Sequence, residues 1–548
     1  MRLFPVLRFP AFAFMLFLLL QSPHFLSAQQ RRSIEIKRAG YARNLKKDGK
    51  TIRRIVGNVL IYHDGITLEC DSVYDYSGTQ RFDAFGNVVV SQQGTKLYGD
   101  VLYYDGNSRI GKIRGDIVRM VDQEAVLVTQ FLDFNSSSNV ANYFNGGIIT
   151  SSDSKLSSDR GIYNSKSKQY YFGGDVVLEN PDFLINTDSL EYNSETEIAN
   201  FHGPTRVYNP DGYIYSEKGW YNREKKQADF AVNAFIDYGA QKISGDKIFY
   251  DQQEGFAHSQ GNVVIIDTTQ NTIIYGGEAQ YWEHTKDALV TQNPLMVMVS
   301  NEGDSLYLRA NKFTAKSILF DSSKPDSTYR ILKGIGEVKF FRNDFQGVCD
   351  SLVLNTSDSL LHMHVNPYVW NQDNQLSADH IVSRYKNNFI DKMFFKGSAF
   401  ICSQEDSSRF NQIKGKEMEA FFREGKLSKL DVMGNGQTVY YVRDKGQIVA
   451  ANRAESVNLS ISIREGTVSS ILFRSKPTAT LFPIDKVAYE DVTLVGFTWN
   501  SGLRPKSKYE IVPDGLNIGN HSIVEKKANL YRSLKRSPAE TLQLGRVL

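Results

Sequence analysis

The chain has 548 residues and a formal net charge of only +3, with Lys and Arg interleaved among Asp and Glu, which argues against a nucleic-acid partner. Tyr (29) and Phe (33) are abundant and Pro (14) is scarce, the profile of strands rich in aromatic side chains. Three cysteines, Cys70, Cys349 and Cys402, are too few and odd in number for a disulfide scaffold.

Residues 1–28 read as a cleavable secretory leader. Arg2 and Arg8 precede an apolar run from Phe9 to Leu20, and Leu26-Ser27-Ala28 offers a small-residue cleavage site before Gln29. The run is short for a membrane span, and no Cys closely follows it to carry a lipid. No later stretch is long and apolar enough for a transmembrane helix, so the expectation is an exported protein, soluble or peripherally attached to a membrane.

From residue 57 onward a period governs the chain. Gly57-Asn58-Val59-Leu60-Ile61 returns as Gly86-Asn87-Val88-Val89-Val90, Gly115-Asp116-Ile117-Val118, Gly174-Asp175-Val176-Val177-Leu178 and Gly261-Asn262-Val263-Val264-Ile265. Starts at 57, 86 and 115 are 29 apart, as are 174 and 203, and 203 to 261 is two such steps. A fixed period of this size means stacked structural units, each contacting mainly its neighbours. A second mark keeps step: Asp71, Asp100, Asp159, Asp188, Glu217 and Asp246, in segments such as Leu97-Tyr98-Gly99-Asp100-Val101-Leu102-Tyr103-Tyr104-Asp105. Each unit reads as three short strands between polar turns: the Gly-Asn-Val run, the Asp-bearing strand, and a short third such as Arg109–Arg114. The copy near Asn145-Gly146-Gly147 is shifted by one residue.

Beyond about residue 270 the copies diverge but persist, as in Gly336-Glu337-Val338-Lys339-Phe340-Phe341, with Asp350 and Asp379 again 29 apart. Segment 321–334 looks like an inserted loop. About fourteen units fit between residues 50 and 500. The sequence therefore divides into the leader 1–28, repeats over 29–270, divergent repeats over 271–503 and a basic tail over 504–548. The tail is broken by Pro505, Pro513 and Pro538, has room for a short helix near 522–535, and reads equally as a disordered end or a docking segment.

Alternation along the first strand places Val59, Ile61, Val88, Val90, Val176 and Leu178 on one face. In the later copies Val263, Ile265, Val338 and Phe340 share it, while the other face admits Ser91, Glu179, Arg206 and Lys339. The stack thus has an apolar interior, which is sealed core if facing sheets close and a groove for acyl chains if they splay. The same Asp in every unit argues for a structural role at a bend, since sugar hydrolysis needs one carboxylate pair at one place. His362 and His364 share a strand face but lack a third ligand, so no metal site is expected. Nucleophile elbows, phosphate loops and dinucleotide fingerprints do not stand out, no enzyme signature is visible, and no cofactor is implied.

The leader, the recurring Gly-Asn/Asp-Val-x-Val strand and the Leu-x-Gly-Asp-x-Leu-x-Tyr-Asp strand resemble the OstA-like (organic solvent tolerance) family, which includes LptA and the N-terminal domain of LptD. One copy of the motif is weak, but several in register are strong; the resemblance is clear over about residues 35–270 and weaker to about 500. It implies an all-β fold: an elongated, V-shaped β-jellyroll of stacked antiparallel strands, its apolar trough holding the acyl chains of lipopolysaccharide. On that resemblance the ten alternating residues become trough lining. The expected setting is the periplasm, with passage of lipopolysaccharide toward the outer membrane. The expected partners are lipopolysaccharide and other lipopolysaccharide-transport components joined by edge-strand pairing. The chain is longer than a one-domain bridge protein, lacks a C-terminal barrel, and in length resembles the larger OstA-like proteins of the Bacteroidota. Two other classes stay open: a β-solenoid carbohydrate-active enzyme and a structural surface or adhesion protein.

Overall fold

The computed structural model describes residues 34–518, less 48–49, 64, 77, 93, 122–124, 211, 300–303, 320–327, 387–388, 425 and 465–466. The leader at 1–28 and the short helix expected near 522–535 lie outside the described residues. Among the described residues the fold is all-β, with 34 strands and only short 3-10 turns beside them. Strands pair antiparallel with their neighbours in sequence, unlike a solenoid of parallel rungs. Among the described residues no helix is long and apolar enough to cross a membrane. The chain forms two compact units: residues 34–239 with 245–255, and residues 240–244 with 256–518.

The repeat is a hairpin of two long strands rather than three short ones. Ile110–Val121 is a single strand of 12 residues that takes in both the expected short third strand and the run from Gly115. Its partners in the ladder, Thr95–Asp105 and Ala125–Asn135, have 11 residues each. The boundary expected between the short third strand and the next Gly-Asn/Asp run is a bulge inside one strand. Gly86 (φ 76°) and Asn87 (φ 46°) both take the left-handed conformation, and the register slips there between Phe85 and Val88. The same pair of left-handed residues recurs at Gly57-Asn58, Gly174-Asp175, Gly261-Asn262 and Gly336-Glu337. The shifted copy moves it to Asn145 and Gly146. Glycine suits the first place where an L side chain would be strained and would overlap its neighbour: a Cβ at Gly86, Gly174, Gly203 or Gly397 would run into the carboxylate of Asp71, Asp159, Asp188 or Asp379, whereas other bends hold Asn145, Val232 or Val365 there. One extra residue, or two in strand Ile110–Val121, bends the strand at these bulges, and a strand so bent contributes to two half-sheets.

In the first unit, Tyr143 before the bend and Ile149 after it, both on strand Val140–Ser151, line one cavity. In the second unit, Met393 and Phe395 before Gly397 join Ala399 and Ile401 after it in one apolar cluster. The two half-sheets of each unit therefore face one another across a shared interior, which is the β-jellyroll. Residues 328–334, expected within an inserted loop, belong instead to strand Thr328–Arg342. Its Leu332 and Lys333 pair with Leu354 and Val353, and the rest of the expected loop, 321–327, lies outside the described residues.

The stretch 484–518 is no strand but a strap on the outer face of the second unit. Val492 and Leu494 pack with Phe400, Cys402, Val439 and Tyr441, on the side of the sheet opposite Ala399 and Ile401. Three glutamines, each 2 % exposed, hold it. Gln412 donates to the Val492 carbonyl (2.9 Å) and accepts the Leu494 N–H (2.9 Å). Gln375 donates to the Thr498 carbonyl (2.8 Å) and accepts the Asn500 N–H (2.8 Å). Gln346 accepts the Arg504 Nε–H at 2.9 Å, and the Tyr275 hydroxyl donates to the Ile518 carbonyl at 2.8 Å. The strap thus meets strands in the reverse of their chain order. The described part of the basic tail, 504–518, is its continuation and is docked.

Candidate functional site

The ten alternating residues all lie inside their units. Val59, Ile61, Val88, Val90, Val176 and Leu178 are 0–4 % exposed in the first unit. In the second, Val263, Val338 and Phe340 belong to one cluster that extends to Leu459 and Ile461, with half-buried Ile265 packed against it. Cross-strand register builds this interior rung by rung: Val59 opposes Cys70, Val88 opposes Gly99, Val176 opposes Thr187 and Val338 opposes Cys349. A small residue beside each bulge leaves room for the bent strand, which explains why Cys70 and Cys349 occupy that slot. Burial pushes both thiols up to about 12, so they are packing groups rather than nucleophiles. All three cysteines are free.

The lining residues of the first unit leave little space between them. Met120, Leu127, Leu132, Tyr143, Tyr163 and Tyr170 line a cavity of about 30 Å³, room for small molecules of water size and not for an acyl chain. Tyr143 fills the space that Gly147 and Gly161 leave, since a Cβ at either glycine would overlap its ring. Its hydroxyl shares a hydrogen bond of 2.6 Å with Ser158 Oγ. Tyr163 and Tyr170 stack beside it at 4.3 Å between ring centroids.

The repeated acid is a structural device, as expected. Asp71 Oδ2 accepts from Asn87 Nδ2 (2.9 Å), Asp100 Oδ2 from the Asp116 N–H (3.1 Å), and Glu217 Oε1 from Asn233 Nδ2 (2.8 Å). Each carboxylate thus fastens the bend of the next strand, through the Asn side chain at Asn87 and Asn233 and, at Asp116, through a backbone N–H that the bulge frees from the ladder.

Sequence reasoning missed two sets of residues. The glutamines 346, 375 and 412 sit on the face expected to be solvated, and only the strap buries them. The pair His362 and His364 has a third companion, His380, directly opposite His364 in the ladder. His380 is pushed down to about 4 by burial, then by His364, His362 and Lys396. His364 is also lowered, by burial, His362 and Lys333. Among the described residues this is the one group of three or more His, Cys, Asp or Glu side chains close enough to hold a metal ion.

Residues 31–188 match the family described as OstA-like protein. Residues 155–256 match the family described as LptA/(LptD N-terminal domain) LPS transport protein. No curated protein matches. Among solved structures, the crystal structure of LptH, the LptA homologous periplasmic component of the conserved lipopolysaccharide transport device from Pseudomonas aeruginosa, is 15 % identical. That alignment covers 25 % of this chain and 81 % of the other, with a TM-score of 0.14.

Proposed function

We propose that the chain, whose residues 31–188 and 155–256 match the OstA-like and the LptA/(LptD N-terminal domain) families, is a periplasmic scaffold that binds lipopolysaccharide and passes it toward the outer membrane. One observation carries the reading: the OstA-like region coincides with an apolar interior whose lining recurs in every hairpin, as Val59/Ile61, Val88/Val90 and Val176/Leu178. Burying each methylene of an acyl chain contributes about 0.8 kcal/mol, so leaving several chains in water would cost tens of kcal/mol. Repetitive apolar contacts remove that cost without fixing one position, which permits sliding. Loading separates the two half-sheets of a unit, with acyl chains replacing the contacts that the sheets make with each other. The sugars stay outside.

Partners join at strand edges. In the first unit, strands Glu35–Arg38 and Tyr41–Lys47 both pair with Lys50–His63. In the second, Thr467–Arg474 and Thr478–Pro483 both pair with Gln447–Arg464. Each split outer strand can accept another strand by β-augmentation.

Binding of three ligands to the purified mature chain tests the reading: intact lipopolysaccharide, its lipid A part, and the deacylated oligosaccharide. The first two should bind and the third should not. Equal binding of the deacylated oligosaccharide would favour sugar recognition and overturn the transport reading.

A further inference from the structure

One cluster of side chains lies outside the apolar interior and has no part in the proposed transport. His362 and His364 end strand Leu360–His364, and His380 begins strand His380–Lys386. His364 opposes His380 in the ladder, and His362 opposes Val382. All three side chains stand on the outer face, because Leu361 and Met363, which alternate with them, belong to the apolar cluster. The rings stack, with His364 and His380 4.4 Å apart between centroids and His362 and His380 5.3 Å apart. His362 Nδ1 lies 3.3 Å from His380 Nε2, and one ring nitrogen from each histidine falls within 4.8 Å of the others.

We propose that His362, His364 and His380 form a binding site for one borderline transition-metal dication, of the zinc, nickel or copper class, on the outer face of the second unit. Neutral imidazole nitrogen is the ligand these ions favour, whereas the absence of a carboxylate from the set disfavours magnesium and calcium. Zinc–nitrogen bonds of about 2.0–2.1 Å require ligand atoms roughly 3–3.5 Å apart. His362 Nδ1 and His380 Nε2 already stand at that spacing, 3.3 Å, and a nitrogen of half-buried His364 lies within 4.8 Å of them, so a turn of the rings would bring the third donor in. The backbone beneath them is fixed. His364 directly precedes the left-handed pair Val365 (φ 60°) and Asn366 (φ 50°), and His380 follows Asp379, whose carboxylate packs on Gly397. Two cations flank the cluster: Lys396, which opposes His380, and Lys333, one strand beyond His362. Lys396 itself opposes Glu417, which offsets its charge. Burial first, and then the neighbouring histidines and lysines, favour the neutral form of His364 and His380, the form that binds an ion without shedding a proton. Three protein nitrogens leave a coordination position for water or an incoming donor.

Calorimetric titration of the untagged full chain with zinc chloride and with nickel chloride near neutral pH tests the site. One equivalent should bind. His380→Ala and His362→Ala should each weaken binding more than about tenfold, while His284→Ala, at an exposed turn, should leave it unchanged. Metal should raise the melting temperature of the wild type and of His284→Ala only. Absence of saturable binding by the wild type, or equal binding by all variants, would overturn the proposal. Either result leaves the lipid-binding reading untouched, because these side chains face away from the interior.

Discussion

Replacing Gly86 with Ala is expected to destabilise the first unit by about 2–4 kcal/mol. Holding an L residue at a φ of 76° costs on the order of 1–3 kcal/mol. The new Cβ also overlaps Asp71 Oδ2, which must move and give up its 2.9 Å bond from Asn87, a further loss of about 1 kcal/mol. Hydrogen exchange across strands Ile66–Tyr76 and Arg81–Gln92 would read the effect locally, which suits an array whose stability is a sum over neighbours. Asp71→Ala in the same chain relieves the overlap but not the backbone strain. The double variant should therefore be more stable than the sum of the single effects by about 1 kcal/mol. Strict additivity would mean that the Asp does not fasten the bend.

Tyr143→Ala should cost about 3–5 kcal/mol, the range for emptying a buried aromatic site. The ring is 5 % exposed, and burial pushes its phenol up to about 12, so it is uncharged wherever the protein is folded. Removing it leaves Ser158 Oγ still donating to the Arg160 carbonyl at 3.0 Å, so the loss comes from packing and not from an orphaned hydroxyl. The space would merge with the existing cavity beside Met120, Leu127 and Leu132. An apolar cavity of that size takes up small apolar guests. Denaturation followed by tyrosine fluorescence reads the stability, and an environment-sensitive apolar dye reads the cavity. A loss below about 1 kcal/mol with no dye uptake would mean that the half-sheets close freely over the gap.

Local patterns carried much of this architecture into the sequence. Alternation alone put Val88 and Val90 inside, and repetition alone identified Asp71 and Asp100 as fasteners and not catalysts, because a catalytic pair would occur once. The Gly-Asn pair misled on strand count for a physical reason. In a hairpin it makes a two-residue turn, but here the same left-handed geometry sits within a continuous strand, and only the long-range pairing separates the two. His380 was missed because 16 residues part it from His364; the antiparallel register that joins them depends on the bends at Asn366 and Gly397. The strap was hidden differently. Gln346, Gln375 and Gln412 are polar residues at outer-face positions, which alternation assigns to solvent, and segment 484–518 has no period to announce what it covers. Alternation also fixes which side a residue faces but not how far apart the facing half-sheets stand, so the small space between the lining residues was not readable.

The central claim is that lipopolysaccharide occupies the interior of both units. Photo-crosslinking amino acids placed in cells at Val90 in the first unit, at Val263 in the second, and at Val177 on the opposite face of its strand test it directly. The account predicts lipopolysaccharide adducts at Val90 and Val263 and none at Val177. Adducts at none of the three, or equally at all three, would contradict it.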